Sequence, residues 1–198
     1  MSEFLAYLKL GYQHITDFNG FDHILFILAL CAIYKYNDWR KVALLVTAFT
    51  IGHSITLSLT TLNIISINSG FIEFLIPITI LITCIFNFFY TFPERMPVFK
   101  KPTNTRYYFA IFFGLIHGMG FSNYLRSLLG KEDLIIKPLF AFNLGLEIGQ
   151  LIIVSISVGI TTLFINTLKV KQQDWKMVLS GIIAGLAIML IKNSAYLG

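Results

Sequence analysis

The sequence is poor in charge. Asp, Glu, Lys and Arg make up 13% of its 198 residues, about half the roughly 25% of a soluble domain. A chain that is 56% hydrophobic, with a mean hydropathy of +0.75, carries too much apolar surface for a soluble core. Lipid must be part of its solvent. Cysteine is scarce too: Cys31 and Cys84 each sit in an apolar run. That excludes a disulfide framework and a Cys-ligated metal pair, and both are expected as reduced packing residues. There is no glycine-rich phosphate loop and no nucleophile elbow. A Ser-His dyad is excluded as well: Ser54 follows His53 directly, and neighbours one apart point to different sides of a helix. The start, Met1-Ser-Glu-Phe4, lacks a cationic n-region and a small-residue cleavage site, so no removable signal peptide is expected. The net charge of +5 then speaks for loops held in the cytoplasm, not for nucleic acid.

What the chain has instead is long apolar runs. At roughly 20 residues per bilayer crossing, its length allows about six crossings with short loops and no separate soluble domain. The pattern predicts an all-α polytopic membrane protein, one domain over 1–198. Six transmembrane helices are expected near 20–35, 39–62, 71–92, 107–129, 138–168 and 177–192. A short N-terminal helix over 3–14 is expected at the membrane interface. Pro93 to Pro102 reads as a basic, proline-rich loop, and Gly130 to Asp133 as a turn. Counting by alternate loops, ten of the 15 Lys and Arg fall on one side and five on the other. The ten belong in the cytoplasm, which puts both termini outside. The expected location is the inner (cytoplasmic) membrane of a bacterium. Glycines recur four apart at Gly114 and Gly118, Gly145 and Gly149, Gly181 and Gly185. Such spacing lets helices approach closely in lipid. The last pair is expected to be generic packing.

Ionisable groups inside a span cost about 2.5–3.5 kcal/mol or more, so each needs a reason. They are few: Asp22 and His23 opening the first span, His53 in the second, His117 in the fourth and Glu147 in the fifth. His14 lies just before the first span, and Glu73 starts the third near the interface. At 1.5 Å per residue, His53 and Glu147 each lie about 13 Å from the outer end of their spans, and His117 roughly 18 Å. All could meet in the outer half of the bilayer. Asn143, Glu147 and Gln150, spaced four and three, share a helix face. The competing reading is a polar seam that joins helices. Imidazole with carboxylate suits nickel, zinc, copper or iron. The expected metal ligands are His14, Asp22, His23, His53, His117 and Glu147. Asn143, Gln150, Ser54 and Asp17 are expected around them, and Asp22 can orient a ligand imidazole.

Four segments carry a resemblance: Gly20-Phe-Asp-His-Ile-Leu-Phe26, Phe49-Thr-Ile-Gly-His-Ser-Ile-Thr-Leu57, Phe113-Gly-Leu-Ile-His-Gly-Met-Gly-Phe-Ser122 and Phe142-Asn-Leu-Gly-Leu-Glu-Ile-Gly-Gln150. With them the chain resembles the HupE/UreJ family of membrane proteins, associated with nickel supply to hydrogenase and urease. The His…Asp-His pattern and the Gly-His-Ser element also look like those of the nickel/cobalt permeases. The resemblance implies a multi-span protein that binds or moves Ni²⁺ or a similar divalent ion, with His14, Asp22 and His23 as its first motif. The family spacing between the first His and Asp-His is five residues. Here it is seven, which makes Asp17 an alternative to His14.

Three functions remain open on the sequence. The first is a divalent-metal permease or delivery protein, not an enzyme. The second is an intramembrane zinc-dependent hydrolase of lipid or membrane peptide, with Glu147 as general base. The third is a non-catalytic membrane subunit whose polar residues join helices. Lipid and a metal ion are the expected partners. A second copy of the chain or a metalloenzyme-maturation protein are the further partner classes. For a permease the inner halves offer few polar residues; Thr47, Thr50, Asn87 and Ser155 are the candidates.

Overall fold

In the computed structural model, residues 2–18, 20–92, 105–129, 135–194 and 196 are described. The loop expected from Pro93 to Pro102 and the turn from Gly130 to Asp133 lie outside them. Every regular element among the described residues is helical. The helices are α1 (Glu3–Thr16), α2 (Asp22–Cys31), α3 (Trp39–Thr61), α4 (Ser69–Phe89), α5 (Thr105–Gly120), α6 (Ser122–Leu129), α7 (Ile136–Thr162) and α8 (Gln172–Lys192). A 3₁₀ turn, Tyr36–Asp38, leads into α3, and a π-turn, Leu163–Thr167, ends α7.

The chain rules that set these ends are local. Asn68 caps α4, its side-chain oxygen accepting from the Phe71 N–H at 3.2 Å. Asn63 and Lys169 take left-handed φ values of 57° just past helix ends, where the turned chain returns amides to helix carbonyls. Inside α4, Pro77 has no N–H to give the Glu73 carbonyl.

Four segments are long and apolar enough to cross a membrane: Tyr36–Thr61, Ser69–Phe89, Ile136–Thr167 and Gln172–Lys192. The first expected crossing appears as α2, 10 residues long, which spans only about 15 Å. The fourth is divided at Gly120–Ser122 into α5 and α6. Large side chains such as Leu44, Ile51, Phe89, Ile156 and Ile188 are exposed on the outside of the bundle, as a lipid-facing surface requires.

Two helix pairs are held by glycine. A Cβ on Gly11 would run into the Phe142 carbonyl, and one on Gly145 into that of Leu8. Gly149 faces Ile15 and Thr16. These contacts advance together, so α1 runs parallel to α7. The interfacial helix of the sequence reading is therefore docked lengthwise in the bundle. The reason is the small-residue contact: Gly11 and Gly145 remove the side chains that would hold the backbones apart. Further along α7, the Cys31 thiol meets Ser157, so α2 continues the line of α1 after an interruption at residues 17–21. The second pair is α3 with α5. Gly114 faces the Phe49 carbonyl, and Gly118 faces the His53 carbonyl and Thr56. Gly181 and Gly185 have nothing within 4 Å, so that pair packs nothing among the described residues.

Candidate metal centre

Each imidazole reaches the centre for a structural reason. His14 sits in the last turn of α1, and Asp22 and His23 open α2. The interruption between them folds the two ends toward each other. The glycine contacts of α3 with α5 bring the helices carrying His53 and His117 together, and each ring meets His23. The result is one cluster. Ring centroids lie 4.7 Å apart for His14 and His23, 5.8 Å for His23 and His53, 6.1 Å for His14 and His53, and 5.1 Å for His23 and His117. His23, His53 and His117 are buried. Phe26, Phe49 and Phe121 pack against the rings. Among the described residues, no three His, Cys, Asp or Glu side chains already stand at ligand positions around one point.

Hydrogen bonds fix two of the tautomers. Asp22 Oδ1 accepts from the His23 backbone N–H at 2.8 Å and lies 3.0 Å from His23 Nδ1. The carboxylate can only accept, so Nδ1 carries the hydrogen and Nε2 presents a lone pair. Thr79 donates its hydroxyl to the Ile76 carbonyl at 2.7 Å and stands 3.0 Å from His117 Nε2. With the hydroxyl hydrogen on the Ile76 carbonyl, His117 Nε2 donates to Thr79 and Nδ1 holds the lone pair. His14 Nε2, His23 Nε2, both nitrogens of His53 and His117 Nδ1 are buried with no hydrogen-bond partner.

The cluster opens outward. A cavity of about 170 Å³ is lined by His14, His23 and His117 together with Asp17, Asp22 and Glu73. A second, of about 570 Å³, shares His14, Asp17 and Phe121 with it. An entering cation would thus pass three carboxylates.

The remaining residues of the expected site lie elsewhere. Glu147 Oε1 accepts from the Thr47 hydroxyl at 2.5 Å. The groups acting electrostatically on His53 are His14, His23 and His117, and Glu147 is not among them. Gln150 Oε1 accepts from Thr50 at 2.7 Å, and Asn143 Nδ2 donates to the Leu139 carbonyl at 2.9 Å. Ser54 returns its hydroxyl to the Thr50 carbonyl at 2.7 Å and serves no imidazole. Thr79 was not anticipated. Its trace in the sequence is the spacing of Thr79, Thr83 and Asn87, buried on one face of an apolar helix.

The family model for HupE / UreJ proteins matches residues 1–195. The chain belongs to the HupE/UreJ family. Searches of curated proteins and of solved structures give no match. As a HupE/UreJ protein the chain is a multi-pass membrane protein of a family associated with nickel handling. All four histidines of this member lie in one cluster, His14 included, despite its altered spacing.

Proposed function

We propose that this HupE/UreJ protein captures a divalent transition-metal ion, nickel or a chemical neighbour, on His14, His23, His53 and His117. Here the metal is cargo. Asp22 and Thr79 orient His23 and His117 from behind, and the carboxylates of the outer cavities draw the cation in. The carrying observation is the set of five buried imidazole nitrogens without partners. Each unsatisfied buried polar atom costs about 1–3 kcal/mol, so five approach the 5–15 kcal/mol net stability of a typical protein. A cation shared by the rings removes most of that cost. Delivery by permeation fits this better than hydrolysis, because Glu147, the expected general base, is bonded to Thr47 instead of facing the rings.

In this reading α1 and α2 together make the first of six crossings and α5 the fourth. The end carrying Arg106 and Lys176 faces the cytoplasm of a bacterium, with both termini outside. Uptake of Ni²⁺, Co²⁺, Zn²⁺ and Cu²⁺ into proteoliposomes tests the proposal. His53→Ala and His117→Ala should each lower uptake of the preferred ion at least tenfold. Uptake equal to wild type in both would overturn it.

A further inference from the structure

The five nitrogens are not the end of the unsatisfied polar atoms. Three more lie on one face of α7: Asn143 Oδ1, Glu147 Oε2 and Gln150 Nε2, all buried and without a hydrogen-bond partner. Two of them meet α3, whose Thr47 and Thr50 hydroxyls bond Glu147 and Gln150. Thr50 is three residues from His53 and Thr47 six, or about 4.5 and 9 Å along the helix. Both lie toward the end of α3 at which α2 closes. A polar seam therefore lies beside the imidazoles, between α3 and α7.

Neither charge state of Glu147 is satisfied by the protein. Ionised, its carboxylate has only the neutral Thr47 hydroxyl as partner, and an unmatched charge within a span is unfavourable. Protonated on Oε1, it can give that hydrogen to the Thr47 hydroxyl, but Oε2 is then left without a donor. The Gln150 amide tells the same story. Thr50 has one proton and two acceptors, the Val46 carbonyl at 3.1 Å and Gln150 Oε1 at 2.7 Å. Rotating the amide by 180° lets Thr50 bond Val46 and accept from Gln150 Nε2. The Gln150 carbonyl oxygen is then freed beside Glu147. A divalent cation satisfies all of these oxygens at once.

We infer that Glu147, Gln150 and Thr47 form a second cation station, beside the imidazoles and separate from them. The inference rests on the proposed His site as the first station. The second station is built of oxygen, one carboxylate with amide and hydroxyl groups, and the first of nitrogen; first-row ions such as Ni²⁺ hold imidazole more readily than amide or hydroxyl oxygen. The ion is therefore held more loosely at Glu147, as passage requires of a site that must release what it binds.

The test uses the full chain in lipid nanodiscs with Co²⁺ alone as probe, read by visible absorption and by bound-ion stoichiometry, with uptake measured in proteoliposomes. Wild type should bind two ions, the tighter one giving an imidazole-type spectrum. Glu147→Gln should bind one, keep that spectrum and lose uptake at least tenfold. Thr47→Val, a milder change, should weaken the second ion while sparing the first. The preserved spectrum also certifies the fold of each variant. A single ion in wild type, with the imidazole spectrum present, overturns the second station and leaves the first standing. Loss of the imidazole spectrum in Glu147→Gln overturns it too, since the two would then be one site. Absence of any imidazole spectrum in wild type overturns the first station, and the second with it.

Discussion

Asp22 offers the sharpest test of how the imidazoles are prepared for an ion. Its Oδ1 takes both the backbone N–H and the ring Nδ1–H of His23. It therefore sets the ring's orientation and its tautomer together. Loss of such a partner behind a ligand imidazole typically costs 10–100-fold in metal affinity, about 1.4–2.7 kcal/mol. Asp22→Asn keeps an oxygen in place but removes the charge, and charge-assisted bonds are roughly twice as strong as neutral ones. The expected loss is about tenfold for Asn and nearer 100-fold for Ala. Asp22 also lies in the first turn of α2, where a negative charge adds about 0.3–1 kcal/mol through the helix dipole. That part belongs to folding, so thermal unfolding of the metal-free variants must be measured beside Co²⁺ affinity. Affinities within twofold of wild type in both variants would refute the orienting role. So would an Asn variant as weak as His23→Ala.

Two further changes probe the scaffold. Thr79→Val removes the acceptor for His117 Nε2 and should lower metal affinity while leaving the helical content unchanged. An affinity equal to wild type would mean that the His117 tautomer is set in another way. Gly118→Ala puts a methyl group against the His53 carbonyl and Thr56, whereas Gly185→Ala meets open space. The first should weaken both thermal stability and metal binding. The second should leave both within error, and equal effects in the two variants would contradict the glycine packing of α3 on α5.

The apolar composition was enough to give an all-helical membrane protein, and the scarcity of charge singled out the histidines. Motif spacing was a poorer guide to their geometry. Seven residues separate His14 from Asp22, and a longer spacing suggested a weaker link. The interruption between α1 and α2 absorbs those residues, and a break in a helix has no periodicity by which to be read. The position of α1 was hidden for a related reason. Gly11 matters only because the Phe142 carbonyl lies opposite, on a helix far along the chain. Glycine pairs carry no label for their use: Gly145 and Gly149 bind α1, while Gly181 and Gly185 have the same spacing and touch nothing within 4 Å. Glu147 was legible as a rare carboxylate within an apolar run. Its partner was not legible, because the rotation of α7 about its axis puts it toward Thr47.

The parallel pairing of α1 with α7 has a consequence for how the protein is made. A hairpin neighbour is available within seconds of synthesis, but α1 has to wait for a helix near the other end of the chain. Gly11 and Phe142 are 131 residues apart, roughly 7–26 s at 5–20 residues per second. Through that interval His14 has no place to dock, while His23, His53 and His117 can already be in the membrane. The four-histidine set is completed only when the nascent chain is nearly finished, so a stalled or truncated product would leave the membrane with three of the rings and without the fourth.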